Sequence, residues 1–190
     1  MKPDCNRRHS SRQRGVAAVE FAFISIFFFT LILGIVELGR VMYVWNTVQE
    51  VTRRAAREGV VRNFSTDLAA LSREAIFRPG GGGGTVVLPA AGEISNGEVR
   101  ITYLDATQTE VSPAPTDPAD NLSACGDATR TTSCIRYVRA EVCEAAGCNG
   151  VLYRPMVGFL LGAGGIDFNI RIPVSPVVMP AESLGFAPSS

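Results

Sequence analysis

The stretch "VAAVEFAFISIFFFTLILGIV", residues 16–36, contains a single charged residue, Glu20. At about 1.5 Å of rise per residue, a helix over this range is roughly 31 Å long, which is the thickness of the hydrocarbon core of a bilayer. The stretch therefore predicts a transmembrane helix. No later part of the sequence has a comparable apolar run, so we expect the chain to cross a membrane once.

The residues before this stretch are basic. Lys2, Arg7, Arg8, Arg12 and Arg14 stand against one acid, Asp4, although the formal net charge of the whole chain is +0. By the positive-inside rule, basic residues that flank the first membrane span are retained in the cytoplasm. Their position favours a role in membrane orientation over nucleic-acid binding. We expect a cytoplasmic N-terminus and an exported C-terminal part.

A cleaved secretory signal is the alternative interpretation of the apolar stretch. Such signals have an apolar core of about 7–15 residues, followed by a cleavage site with small side chains. The run here is longer, and "ELGRVMYVW", residues 37–45, offers no such site. We therefore expect the span to be retained.

The helical pattern continues beyond the apolar stretch with a different distribution of side chains. Apolar residues recur at intervals of three and four, at Val41, Val44, Val48, Val51 and Ala55. This spacing predicts an amphipathic helix that continues to about residue 62 and packs one face on a sheet. We divide the chain into a leader (residues 1–15), a transmembrane helix (16–46) and an exported domain (47–190).

The exported domain has the sequence pattern of an antiparallel sheet. Apolar and polar residues alternate over 99–104, 135–142 and 166–174, which predicts three strands. Residues 112–124 are rich in turn formers and predict a surface loop. The fold class is therefore α+β: a long N-terminal helix, first transmembrane and then amphipathic, packed on a small antiparallel sheet.

Five consecutive glycines, Gly80–Gly84, could suggest a phosphate-binding loop. Such a loop requires a Lys followed by Ser or Thr, whereas Thr85 and Val86 follow here. We interpret the run as a flexible connector.

Four of the five cysteines lie close together in the exported part, at Cys125, Cys134, Cys143 and Cys148. In an oxidising compartment they predict two disulfides, with three possible connectivities. A zinc site is the alternative, but the spacings lack a Cys-x-x-Cys pair and no histidine lies nearby. We expect disulfides and no bound metal.

The exported part lacks the histidine that serine or cysteine nucleophiles use as a base in these arrangements. The single histidine, His9, lies in the basic leader, so a Ser-His-Asp or Cys-His arrangement is not available there. No pattern selects a pair of carboxylates for acid–base chemistry. We expect a protein that is not an enzyme and needs no cofactor.

Glu20 allows two interpretations. It could be an acid that reaches the cytoplasmic interface, where the cost of a charge is lower than at mid-bilayer. Alternatively, cleavage after Gly15 would create a new amine on Val16, one helical turn away, and Glu20 could neutralise this amine in its own chain or in a neighbour. Small residues on this part of the helix would let neighbouring helices approach closely.

The residues around Glu20 resemble a prepilin processing site. A basic leader, "RHSSRQRG", ends at Gly15, and Glu20 and Phe21 become the fifth and sixth residues after it. Together with "AAVEFAF", "LILGIVELGR" and "VTRRAAREG", this pattern resembles the TadE-like family, the TadE/TadF/TadG-type pilin-like proteins of Flp or tight-adherence pilus assembly. The resemblance is strongest over residues 7–60, and "IRIPVSPVVMPAE" is similar to the closing strand of the family. Val16 departs from the phenylalanine of ordinary type IV pilins.

The resemblance implies a minor pilin or pseudopilin-like assembly factor in the bacterial inner membrane, with its C-terminal domain in the periplasm. A prepilin peptidase would cut between Gly15 and Val16. Partners would include the platform proteins of the pilus machine and other pilin-like subunits, in a hetero-oligomer formed through the N-terminal helix. A membrane-tethered envelope binding module or adhesin that is not part of a pilus is the alternative function, motivated by the cysteine-rich region.

Overall fold

The computed structural model describes residues 10–65, 68–144, 147–156, 158 and 170–186. Helix α1 covers Ser10–Val61, 52 residues in all, and the long N-terminal helix predicted from the sequence is confirmed. Within the described ranges two shorter α-helices follow, α2 (Leu68–Ala75) and α3 (Pro118–Gly126).

Five short strands in the part of the chain that the structure describes form two antiparallel sheets. Strands β1 (Val87–Leu88) and β2 (Ala91–Ser95) form a two-stranded hairpin. Strands β3 (Val99–Leu104), β4 (Tyr137–Val142) and β5 (Val177–Pro180) form the second sheet, in which β4 lies between the other two. The predicted α+β class, with a long helix and small antiparallel sheets, is confirmed.

The outer half of α1, residues 37–61, packs against this second sheet. Its predicted apolar stripe is confirmed, because Val44, Val48, Val51 and Ala55 have no exposed surface and Val41 is partly buried. Burial of each valine contributes about 1.5–3 kcal/mol to folding. The same helix is therefore a core element in its outer half.

Strand β4 supplies the opposing surface from alternate positions. Val138, Ala140 and Val142 are all buried, as the alternation of this strand predicted. Gly59 of α1 allows close approach to this sheet, since an added Cβ would lie 3.0 Å from a methyl carbon of Val138 and 3.5 Å from one of Ile101.

The segment after β5 closes the C-terminal end of α1. The backbone N–H groups of Glu182 and Leu184 donate to the Val60 carbonyl at 3.3 and 3.1 Å, and the Ser183 hydroxyl donates to the Val61 carbonyl at 3.2 Å. The last carbonyls of a helix have no partner within the helix. The end of the chain thus replaces the water that would otherwise satisfy them.

The prediction of a surface loop over residues 112–124 was wrong in its second half, where α3 begins at Pro118. Asp117 precedes this helix and its carboxylate accepts the N–H groups of Ala119 and Asp120, at 2.9 and 2.8 Å. An aspartate cap followed by proline at the first helical position is a strong start signal. The abundance of turn formers concealed it.

The strand predicted over 166–174 is not a regular strand in its described part. Residues 166–169 lie outside the described residues, and beyond them Arg171 forms only an isolated bridge with Leu152. The closing strand is β5, which begins after Pro173 and Pro176. Proline has no N–H to donate to a ladder, so these two residues delay strand pairing.

The glycine run is tied down by one buried side chain. The guanidinium of Arg73, on α2, donates to the carbonyls of Pro79, Gly83 and Gly84 at 3.2, 3.1 and 2.8 Å. Arg73 is 8% exposed. The run therefore forms a loop around a cation, and the interpretation as a flexible connector was incomplete.

Candidate functional site

The inner half of α1 has no partner among the described residues. From Gly15 to Val36 every side-chain position is exposed except Ser25, which is half-buried. The most apolar window of this helix has a mean hydropathy of 2.5 and is 0% buried. A contiguous apolar surface of this size is unfavourable in water. The helix is long and apolar enough to span a membrane.

The predicted processing and assembly residues all lie on this exposed half. Gly15 has nothing within 4 Å of an added Cβ. Val16 and Phe21 are 60% and 72% exposed. Val16 and Glu20 are separated by one helical turn and therefore share a face. Glu20 is exposed, and no described residue from outside α1 forms a hydrogen bond or an ion pair with it.

A polar cluster lies where the apolar half of α1 meets the exported domain. Arg40 pairs with Glu93, whose side chain is 3% exposed, and its guanidinium lies 2.8 Å from a carboxylate oxygen of Glu93. The same guanidinium donates to the Arg154 carbonyl at 2.7 Å. It also lies over the ring of Tyr153, 4.9 Å from the centroid. We call Glu37, Arg40, Glu93 and Tyr153 the junction cluster.

Glu37 completes the junction cluster from the first turn after the apolar stretch. It accepts the hydroxyl proton of Tyr153 in a hydrogen bond. Its two carboxylate oxygens also accept the Met156 N–H, at 3.2 and 3.3 Å. Burial and the bond to Glu37 raise the pKa of Tyr153 to about 12. The phenol therefore remains a neutral donor at ordinary pH, and the cluster fixes the helix relative to the domain.

The exposed helix and its junction with the domain have a match among known protein families. Residues 15–57 match the family model described as TadE-like protein. The matched segment contains Glu20, both α1 members of the junction cluster and all five residues of the apolar stripe. The suspected family resemblance is confirmed for this segment. No curated protein and no solved structure matches the chain.

The TadE-like segment gives the chain a functional context. TadE-like proteins are a pilus-associated structural family that is not known for enzymatic activity, and the match suggests involvement in a tight-adherence pilus system. The match ends within α1. The family match therefore does not cover the rest of the exported domain, which contains α2, α3, the two sheets and the two cysteine pairs.

The four outer cysteines form two pairs at bonding distance. Cys125 pairs with Cys134 and Cys143 pairs with Cys148, with Cα–Cα distances of 4.8 and 4.7 Å. The second pair lies beside Glu141, with ligand atoms within 4.8 Å of one another. Zinc binds cysteine as the thiolate. Because the sulfurs are bonded to each other, this group does not fit the zinc alternative.

An open cleft of about 490 Å³ lies at the far end of the domain. It is lined by α3, the beginning of β4 and the chain after β5, and Cys125 forms part of its wall. The lining residues Glu182 and Ser183 bond the last turn of α1. The cleft is therefore distant from the apolar half of the helix. Its wall combines the exposed side chains of Leu122 and Phe186 with Arg136.

Sequence reasoning missed the junction cluster. Arg40 lies outside the apolar stripe that predicts the buried face of the helix, yet its side chain is 14% exposed and paired. The available signal was a glutamate and an arginine, Glu37 and Arg40, three residues apart directly after the apolar stretch. In the structure a guanidinium nitrogen of Arg40 lies 3.8 Å from a carboxylate oxygen of Glu37. Their partners, Glu93 and Tyr153, come from distant parts of the chain, and no local pattern identifies them.

Proposed function

We propose that this protein is a membrane-anchored, minor pilin- or pseudopilin-like subunit that takes part in the assembly of Flp-type, tight-adherence pili and in surface adhesion. The observation that carries the proposal is the exposed apolar half of α1, with Glu20 as its lone charge, inside the TadE-like segment. A helix of this kind requires lipid or other helices around it.

The proposed location is the bacterial inner membrane, crossed once. The basic leader, residues 1–15, lies in the cytoplasm, and the domain of residues 47–190 lies in the periplasm. The two cysteine pairs support this orientation, because disulfides persist in oxidising compartments. Residues 37–46, at the end of the proposed transmembrane unit 16–46, include Glu37 and Arg40, which contact the exported domain.

Processing and assembly would act at one end of the helix. A prepilin peptidase cuts between Gly15 and Val16 and leaves a new amine within one turn of Glu20. The carboxylate of Glu20 neutralises this amine, in its own chain or in a neighbouring subunit, inside the membrane. Phe21 packs beside it against the neighbour. This pairing offsets the free-energy cost of an ionised carboxylate in a membrane-spanning helix.

The partners follow from the same surface. Other pilin-like subunits would pack on the exposed half of α1 to form a hetero-oligomer, and platform proteins of the assembly machine would receive the helix in the membrane. The chemistry proposed for the exported domain is binding, with no cofactor and no turnover.

The test is piliation of cells that carry Glu20→Gln, which removes the charge and keeps the shape. We expect fewer pili, with normal amounts of the protein in the membrane fraction. Glu50→Gln is the matched control, because Glu50 is an exposed acid on the outer half of the same helix. Normal piliation of the Glu20→Gln strain would remove the role given to this acid.

A membrane-tethered adhesin outside any pilus is the second candidate, favoured by the cleft beside the Cys125–Cys134 pair. Leu122→Arg would place a charge at the wall of this cleft, where Leu122 is 63% exposed. Loss of surface adhesion with pili intact would favour the adhesin. Unchanged adhesion would leave the pilus subunit as the better account.

A further inference from the structure

We propose that the loop of residues 153–156 rests on the membrane surface, with the Met156 side chain at the edge of the hydrocarbon layer and Arg154 among the lipid headgroups. We call these residues the membrane-contact loop. The inference rests on the proposed membrane span, and it adds a second lipid-binding element from the exported domain, more than a hundred residues further along the chain.

The depth of the loop follows from its bonds to α1. The apolar stretch ends at Val36, so Glu37 is the first residue at the headgroup level. Side chains of a helix lean toward its N-terminus, which here is the membrane side. The Glu37 carboxylate accepts the Met156 N–H. It therefore lies no farther from the membrane than the Cα atom of Glu37. Met156 is held at the boundary between hydrocarbon and headgroups.

The junction cluster holds the membrane-contact loop at this depth. Tyr153, at the start of the loop, is 2% exposed and bonds Glu37. The next carbonyl, that of Arg154, accepts a hydrogen bond from Arg40 at 2.7 Å. Two consecutive residues of the loop are thus attached to α1 within its first turn beyond the apolar stretch. The loop cannot move away from the membrane without breaking these bonds.

The exposed side chains at this level suit a lipid boundary. Met156 is 67% exposed although it is apolar, and Arg154 is exposed beside it. On α1 itself, Leu38 and Met42 are 59% and 52% exposed. A flexible apolar side chain enters the acyl region, while an arginine extends its charge to the phosphates. The apolar surface of the span therefore continues onto the domain.

The experiment uses Trp45, the single tryptophan of the chain. In a full-length Trp45→Phe background, tryptophan is introduced by Met156→Trp, and the protein is reconstituted in vesicles of phosphatidylcholine and phosphatidylglycerol. Acyl chains brominated near the headgroup or near the methyl end quench tryptophan at shallow or deep positions. We expect a blue-shifted emission for Met156→Trp and stronger quenching by the shallow bromines than by the deep ones.

Two matched variants distinguish the possible failures. Leu122→Trp, 63% exposed on α3, reports a position away from the membrane, and Phe28→Trp, 53% exposed in the apolar stretch, reports the span. Quenching of Phe28→Trp alone would overturn the membrane-contact loop and leave the proposed span intact. Absence of quenching in all three would overturn the span, the proposed function and this inference together. A blue shift of Met156→Trp without quenching would place the loop against a second protein and would also overturn the lipid contact.

Discussion

The guanidinium of Arg40 and the carboxylate of Glu93, 53 residues apart in the chain, form two hydrogen bonds of 2.8 and 3.0 Å. The carboxylate has almost no exposed surface, and the guanidinium is 14% exposed. A pair of this kind is costly to break, because the remaining charge is left without water and without a partner. The pair joins the helix to the β1–β2 hairpin at the point where α1 leaves the apolar stretch.

Arg40→Met should therefore lower the free energy of unfolding by about 3 kcal/mol, because Glu93 loses the one cation that pairs with it among the described residues and stays buried. The measurement is urea unfolding of the detergent-solubilised protein, followed by Trp45 fluorescence. Arg53→Met is the matched control, since Arg53 is exposed on the same helix. We expect a change within about 0.5 kcal/mol for the control. Equal effects of the two variants would show that the junction cluster does not stabilise the domain.

Gly59 should not tolerate a large side chain. Gly59→Leu would press against Val138 and Ile101 and should cost about 1–3 kcal/mol, as overpacking of a core does. The control is Gly39→Leu on the same helix, where nothing lies within 4 Å of an added Cβ. Leucine is the better helix former, so the control should be neutral or slightly more stable. Similar stability of the two variants would contradict the close approach of α1 to β4.

The Tyr103 hydroxyl is buried and has no hydrogen-bond partner among the described residues. Tyr103→Phe should therefore raise the free energy of unfolding by about 1 kcal/mol at neutral pH. Tyr43→Phe is the contrasting variant, because the Tyr43 hydroxyl donates to the Pro89 carbonyl at 3.0 Å. We expect that variant to lose about 1 kcal/mol. A loss of stability in Tyr103→Phe would mean that its hydroxyl has a partner in solution.

The same tyrosine should also contribute to alkaline denaturation. Burial raises the pKa of Tyr103 to about 12, whereas an unfolded tyrosine titrates near pH 10, roughly. The folded state thus holds the proton more tightly than the unfolded state. The resulting stability is complete below about pH 10 and is lost as the pH rises toward about 12. Stability measured against pH should fall less steeply in Tyr103→Phe, and an unchanged slope would contradict this assignment.

Peptide mapping without reductant tests the cysteine pairing. Trypsin cuts after Arg130, Arg136 and Arg139, so Cys125 and Cys134 should appear in two peptides joined by a bridge. No tryptic site separates Cys143 from Cys148, which should appear in one internally bridged peptide. A bridge between Cys134 and Cys143 would contradict the structure.

Loss of the Cys125–Cys134 bridge should lower the free energy of unfolding by about 2–3 kcal/mol, because this bridge closes a short loop and restricts the unfolded chain.

The helical part of the fold could be predicted from sequence because its signals are local and long. An apolar run of bilayer length and a stripe with a 3.6-residue period each identify a helix within one segment. Strands β3 and β4 were also predicted correctly, because apolar and polar residues alternate within each segment. The start of α3 was also a local signal, at Asp117 and Pro118, but it lay among turn formers that favoured a loop.

The candidate site could be predicted only where one segment carries it. Gly15, Val16, Glu20 and Phe21 belong to a single contiguous pattern and lie on the exposed part of α1, and their processing and assembly roles stay a prediction. The junction cluster depends on tertiary packing, which brings Glu93 to the helix from strand β2 and Tyr153 from the segment between β4 and β5. The connectivity of the cysteines similarly required the fold, since spacing alone allows three pairings.

The proposed function requires the chain to cross the inner membrane once, with the leader in the cytoplasm and the exported domain in the periplasm. The most direct test fuses alkaline phosphatase, which is active only after export, to the C-terminus of the full-length protein. We predict phosphatase activity that stays with the membrane fraction after washing at high salt and alkaline pH. An inactive fusion, or active enzyme released into the soluble fraction, would contradict the account.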